Sequence, residues 1–223
     1  MNPQPQVLDL LAARRGHFLL ESGHHGELWL DLELLCSEPR RVQPLCAELA
    51  ARLSKFNVEV VCGPLLEGAF VGLMVASELN VRFCYSERFM RPRHEGLFPA
   101  GYRVPASLRP TVKGKRVAIV NDVINAGSAV KGTYADLQDC GANVVAIGAL
   151  LVLGSAASEF AQAKGVVLES LAQLPNQLWE AQTCPLCASS ELPLEDVGGS
   201  VARTGELLLF DRMIPSNREA YRR

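Results

Sequence analysis

The stretch Asn121-Asp122-Val123-Ile124-Asn125-Ala126-Gly127-Ser128-Ala129 holds the residue types that would handle a phosphorylated sugar. Asp122, beside Asn121, can accept hydrogen bonds from a sugar diol. Asn125, Ala126, Gly127, Ser128 and Ala129 then form a short loop with backbone N–H groups open to an anion. Gly127 lets the backbone come close to a phosphate, and Ser128 adds a hydroxyl donor. The apolar run 117–120 ahead of this stretch reads as a buried strand, and 129–140 after it as a helix. The loop therefore falls at the carboxyl end of a strand and the amino end of a helix, where parallel α/β sheets bind ligands. A sugar phosphate suits this layout better than a free dinucleotide.

Three other stretches carry chemistry-bearing residues. Cys62-Gly63-Pro64-Leu65-Leu66-Glu67-Gly68 follows a β-branched run and exposes amides around Gly63 and Gly68; Gly-Pro alone would mark only a turn. Residues 86–115 hold Arg88, Arg91, Arg93, His94, Arg103 and Arg109 among four prolines. They read as a long, basic, mobile loop with room for a short hairpin, and such a loop in a compact domain is functional or disordered. Cys184-Pro185-Leu186-Cys187 is a Cys-x-x-Cys. One such pair cannot fill a tetrahedral zinc site. A symmetry mate could bring a second pair; the plainer reading is a structural turn with free thiols.

The elements that must position these residues alternate. Helical spacing over 41–53, a strand at 58–62, an apolar helix at 69–79, a strand at 81–85, then strand, helix, strand, helix and strand from 117 to 171 predict an α/β fold. Its central sheet is mostly parallel and flanked by helices. The regularity fades after Pro175, and the tail from Glu195 takes no assignment. A chain of 223 residues, 48% hydrophobic, can bury a real core. Its formal charge of -2 gives no electrostatic reason for a nucleic-acid or membrane partner. No apolar run spans a bilayer and the polar start is no signal peptide, so the expected compartment is cytoplasmic. The odd set of seven cysteines reads as buried thiols in a reducing environment.

The strand, the Asn121-Asp122 pair, two apolar residues and the Ala-Gly-Ser loop, in that order, closely resemble the phosphoribosyl pyrophosphate (PRPP) motif of type I phosphoribosyltransferases. Gly63, Glu67 and Gly68 lie where that family binds pyrophosphate. Residues 20–31, with Ser22, Gly23 and His24, look like the segment that helps build the base pocket of orotate phosphoribosyltransferases; a surface hairpin with Trp29 in the core is the competing reading. The resemblance covers residues 16–174. It implies a hood segment at 1–40, a transferase core at 41–175 and an extension with Cys-Pro-Leu-Cys at 176–223. It also implies PRPP and a nitrogenous base, best orotate, as substrates, Mg²⁺ as cofactor, Asp122 reaching the metal indirectly, and a homodimer. Arg88, Arg91, Arg93, His94 and Arg103 would neutralise the leaving pyrophosphate from a closing loop, together with Asp122 forming the catalytic set.

The chain departs from the family at several positions. Asn121 replaces the first acid of the pair, and the loop carries arginines where the family has lysines. Glu21 stands where many orotate enzymes have lysine, and Leu153-Gly154 where many have Asp-Arg. Like charges at about 4 Å and an effective dielectric of about 20 repel by roughly 4 kcal/mol, so Glu21 must turn away from orotate or be neutralised by His24, His25 or a loop arginine. A transferase for another base, or a PRPP-binding regulator without turnover, stays open at this stage.

Overall fold

The computed structural model describes residues 3–11, 13–19, 24–30, 32, 35–90 and 100–197. In chain order the elements begin with helix α1 (Gln4–Leu10), strands β1 (Arg14–Leu19) and β2 (His25–Trp29), helix α2 (Pro39–Leu53), strand β3 (Val60–Pro64) and helix α3 (Glu67–Leu79). Strands β4 (Arg82–Met90) and β5 (Ala100–Arg103), helix α4 (Arg109–Val112), strand β6 (Arg116–Ile124), helix α5 (Ser128–Asp139) and strand β7 (Asn143–Leu153) follow. The last are helix α6 (Ala156–Lys164), strands β8 (Val167–Leu174) and β9 (Leu178–Trp179), helix α7 (Pro185–Ser189) and strand β10 (Leu194–Asp196). Two compact units interleave along the chain: one takes residues 1–14 and 30–177, the other 15–29 and 178–223. The sequence reading instead divided the chain into three consecutive stretches.

The larger unit is the α/β layer. Its six strands run β5-β4-β3-β6-β7-β8, all parallel except β5, which returns antiparallel on β4. Buried β-branched and small residues fill β3, β6 and β7 on both faces, as a sheet covered twice requires. One face, through Val60, Cys62, Val117, Ile119 and Ile147, packs with Val130 and Leu137 of α5 and Ala157 and Ala161 of α6. On the other face α2 lies so close to β7 that a Cβ at Gly148 would meet the Cδ1 of Leu53 at 3.0 Å.

Three boundaries differ from the sequence reading. β6 runs through Asn121 and Asp122 to Ile124, because its ladder with β7 continues as far as Ile124 opposite Val152. The polar pair therefore lies inside the strand, two residues short of its end. β4 extends to Met90 since β5 pairs with it, so the basic segment opens as a hairpin with Arg88 opposite Tyr102. Past residue 175, where periodicity fades, the chain forms the short elements β9, α7 and β10, too brief to leave a period.

The smaller unit is a four-stranded sheet in the order β10-β1-β2-β9. β10 lies parallel to β1, and β9 antiparallel to β2. Among the described residues no helix is long and apolar enough to cross a membrane.

Candidate functional site

β6 carries Asp122 to the carboxyl end of the sheet and the chain turns at once into α5. Gly127 makes that turn with φ +77° and caps the helix, a left-handed conformation that side chains resist. The first helical hydrogen bond is donated by the Lys131 N–H to the Gly127 carbonyl at 2.8 Å, so the amides before it have no helical partner. Ser128 is exposed, with Asn125, Gly127 and Ala129 half-buried around it. The result is a set of open amides at a helix start, a geometry that suits an anion.

The turn after β3 meets β6 from the side. Gly63 is buried so tightly that a Cβ there would stand 2.6 Å from both the Ala69 Cα and the Gly68 carbonyl oxygen. At Gly68 a Cβ would fall 1.9 Å from the Asn121 Oδ1. Glycine at 68 is what admits the Asn121 side chain, and the predicted pyrophosphate turn and the predicted diol-binding pair thus occupy one place. The Leu65–Leu66 peptide in this turn is cis. Glu67, half-buried in the first turn of α3, acts electrostatically on Asp122.

Asn121 and Asp122 are both buried. The Asn121 Nδ2 donates to the Val123 carbonyl at 2.8 Å, which orients the amide. Burial pushes the Asp122 carboxyl up to about 7; the charge of Glu67 adds to this, and the N–H groups of Val123 and Asp122 itself pull the other way. A buried carboxyl poised near neutrality is held where a cation or a set of hydroxyl donors would ionise it.

Two residues at this loop escaped the sequence reading. Lys131 Nζ reaches back to donate to the Ala126 carbonyl at 2.8 Å; its place four residues after Gly127 was the available signal. Asn176 Nδ2 donates to Asn125 Oδ1 at 3.3 Å, while its own Oδ1 is buried and lacks a hydrogen-bond partner among the described residues. Nothing local to Asn176 points to the loop, which lies 51 positions earlier.

The arginines are only partly within view. Arg88 is exposed on β4. Arg103 pairs with Glu87 at 3.1 Å and lies 5.0 Å over the Phe89 ring. Arg91, Arg93 and His94 lie outside the described residues, as do Glu21, Ser22 and Gly23. His24 belongs to the smaller unit and pairs with Glu180 at 3.1 Å. His25 is buried with its Nδ1 at 3.0 Å from His17 Nε2. Both histidines offered as partners for Glu21 thus have other partners. A cavity of about 570 Å³ lined by Glu59, Asn80, Arg82 and Lys115 sits at the amino ends of β3, β4 and β6. That is the wrong end of a parallel sheet for ligand chemistry.

Comparison with known proteins gives this geometry a context. The chain is 33% identical over 190 residues to the orotate phosphoribosyltransferase of Thermotoga maritima, covering 84% of this chain and 92% of that protein. The crystal structure of orotate phosphoribosyltransferase from Aeropyrum pernix superposes with a TM-score of 0.57 at 25% identity, over 73% of this chain and 88% of that one. An adenine phosphoribosyltransferase from Trypanosoma brucei, in complex with AMP, pyrophosphate and ribose-5-phosphate, shares the fold, with a TM-score of 0.58 at 17% identity over 76% of this chain and 79% of that one. No protein-family model matches the chain.

Proposed function

Because the chain belongs to the orotate phosphoribosyltransferase family, we propose that it transfers the phosphoribosyl group of PRPP to orotate and releases pyrophosphate. The observation that carries this reading is the meeting of Gly68 with Asn121 beside Asp122, at the strand end that opens into the Gly127 loop. One place can then receive the ribose, its 5′-phosphate and the leaving pyrophosphate.

In the reaction the bond from the anomeric carbon to pyrophosphate breaks and a ring nitrogen of the base takes its place. Positive charge grows on the sugar and negative charge on the leaving group, so catalysis is positioning and electrostatics. Asp122 and Asn121 orient the ribose hydroxyls, residues 125–129 hold the phosphate, and Gly63, Glu67 and Gly68 line the pyrophosphate side. Arg88, Arg91, Arg93, His94 and Arg103 meet the leaving group as the loop closes, and closure excludes water. The oxygen donors of Asp122 and Asn121 suit a hard cation such as Mg²⁺. Mg²⁺, arriving with PRPP, would neutralise pyrophosphate charge.

A homodimer is supported by Leu66, Phe70 and Leu73, 61%, 47% and 52% exposed at α3, beside an apolar cavity of about 220 Å³. The compartment consistent with this chemistry is the cytoplasm. The deciding experiment is a screen of bases with PRPP and Mg²⁺, reading pyrophosphate release, run on the wild type and Glu21→Lys. Turnover with orotate is expected in the wild type. Turnover only with another base would move the chain to a different substrate. PRPP binding without turnover on any base would make it a binding protein, the reading that Asn121 in place of an acid favours.

A further inference from the structure

The smaller unit holds a side-chain cluster that phosphoribosyl chemistry does not use. His17 on β1, His25 on β2, and Cys184 and Cys187 at the start of α7 each bring a ligand atom to one point, all within 4.8 Å of one another. His17 Nε2 lies 3.0 Å from His25 Nδ1, 3.5 Å from Cys184 Sγ and 3.7 Å from Cys187 Sγ. Cys187 Sγ lies 3.3 Å from His25 Nδ1. The residues are 8 to 170 positions apart in sequence, apart from the Cys-x-x-Cys itself.

The four spacings of 3.0, 3.3, 3.5 and 3.7 Å lie close to the edges of a tetrahedron around a metal. Zinc bonds of about 2.3 Å to sulfur and about 2.05 Å to nitrogen place S and N ligands about 3.6 Å apart, and two N ligands about 3.3 Å apart. Hydrogen bonding accounts for less. Three groups face His17 Nε2, which has one lone pair or one proton, so a hydrogen-bond network satisfies one of the three. The other nitrogen, His17 Nδ1, is 3.3 Å from the Leu192 carbonyl oxygen. Donating there leaves the Nε2 lone pair aimed at the cluster, as a carbonyl that accepts from the far nitrogen of a metal-bound imidazole does. His17, His25 and Cys184 are 3%, 5% and 4% exposed, and Cys187 is exposed, which leaves an entry path.

We propose that His17, His25, Cys184 and Cys187 hold one structural Zn²⁺ ion. Two thiolates and two imidazoles select zinc over the harder Mg²⁺ or Ca²⁺. Four protein ligands close the coordination sphere, so the ion has no open position for catalysis. Binding releases the two thiol protons to solvent. The ion's role follows from the unit's thin packing. β9, α7 and β10 bury none of their residues, so packing supplies little of what holds them in place. The ion would tie the β1–β2 strands to the Cys-Pro-Leu-Cys segment far along the chain. A second pair of ligands from a symmetry mate, which the sequence alone left open, is then unnecessary.

The test is the metal content of the full chain, purified without chelator and measured by mass spectrometry of the elements. One zinc per chain is expected in the wild type, falling at least tenfold in Cys187→Ala and in His25→Ala. Should either variant fail to fold, the wild type still decides. Replacement by Co²⁺ should give the visible bands of a tetrahedral, thiolate-ligated ion, and chelation should expose two reactive thiols for each zinc released. Wild type that holds no zinc after incubation with Zn²⁺ and gel filtration overturns the proposal. So does Cys184 disulfide-bonded to Cys187 in zinc-free protein, or full zinc in His25→Ala. PRPP binding, followed in parallel, reports on the other site separately.

Discussion

The larger unit sets its candidate ligand loop on a six-stranded sheet with helices on both faces, and that candidate site is shaped by backbone and glycine. The smaller unit has four short strands, and its one concentrated feature is made of side chains, two imidazoles and two thiols. Where the apolar core is deep, the fold itself holds amides in place and a missing Cβ does the shaping. Where the core is thin, convergent ligands can supply the cross-link that packing does not. The first kind of site fails when atoms are added, the second when ligands are removed.

The sharpest way to probe the larger unit is through Asp122. Its carboxyl is raised from 3.8 to about 7, chiefly by burial. The unfolded chain ionises near 4 and the folded one near 7, so this group's contribution to stability is full below pH 4 and is lost as pH rises through 7. At about 1.4 kcal/mol per pH unit, the loss is at most about 4 kcal/mol. Denaturant midpoints at pH 4 and pH 8 should therefore fall further in the wild type than in Asp122→Asn. Affinity for Mg²⁺–PRPP, read by calorimetry, should rise through pH 7 in the wild type and stay flat and weak in the variant. Equal pH dependence in both would remove Asp122 from the donor site.

Added atoms come next. Gly63→Ala puts a Cβ against the backbone of Gly68 and Ala69, 2.6 Å from each. The expected result is a loss of about 1–3 kcal/mol in chemical denaturation together with a loss of PRPP binding. A variant as stable as the wild type, binding PRPP normally, would mean that the turn yields easily. Gly127→Val tests conformation more than space, since the nearest atom to a Cβ there is the Lys131 Cε at 3.5 Å but φ is +77°. A loss of about 1–2 kcal/mol and weaker ribose 5-phosphate binding are expected, measured by thermal melts and calorimetry.

The smallest effect on stability belongs to Arg103→Ala. Its ion pair with Glu87 is 53% and 38% exposed, and such pairs contribute less than about 1 kcal/mol. Turnover is the informative readout: a fall in kcat larger than the rise in the donor's KM marks a contact that strengthens in the transition state. Unchanged kinetics would leave Arg103 as an exposed hairpin residue held by Glu87.

By itself, the sequence determined what contiguous residues can specify. Alternating apolar periods set the parallel α/β layer, and the run from Val117 to Ala129 specified strand, polar pair, loop and helix, because each piece follows from its neighbours in the chain. Tertiary structure decided whatever required distant segments to meet. Gly68 is glycine because Asn121, 53 positions on, fills the space of its Cβ. Asn176 reaches the 125–129 loop only because β8 ends near it. Cys184 and Cys187 read in sequence as a structural turn with free thiols; only β1 and β2 bring His17 and His25 to them. Local patterns record which backbone a segment adopts; they hold no information about which side chain from elsewhere will face it, since that depends on sheet order and on where two separate stretches come to lie side by side.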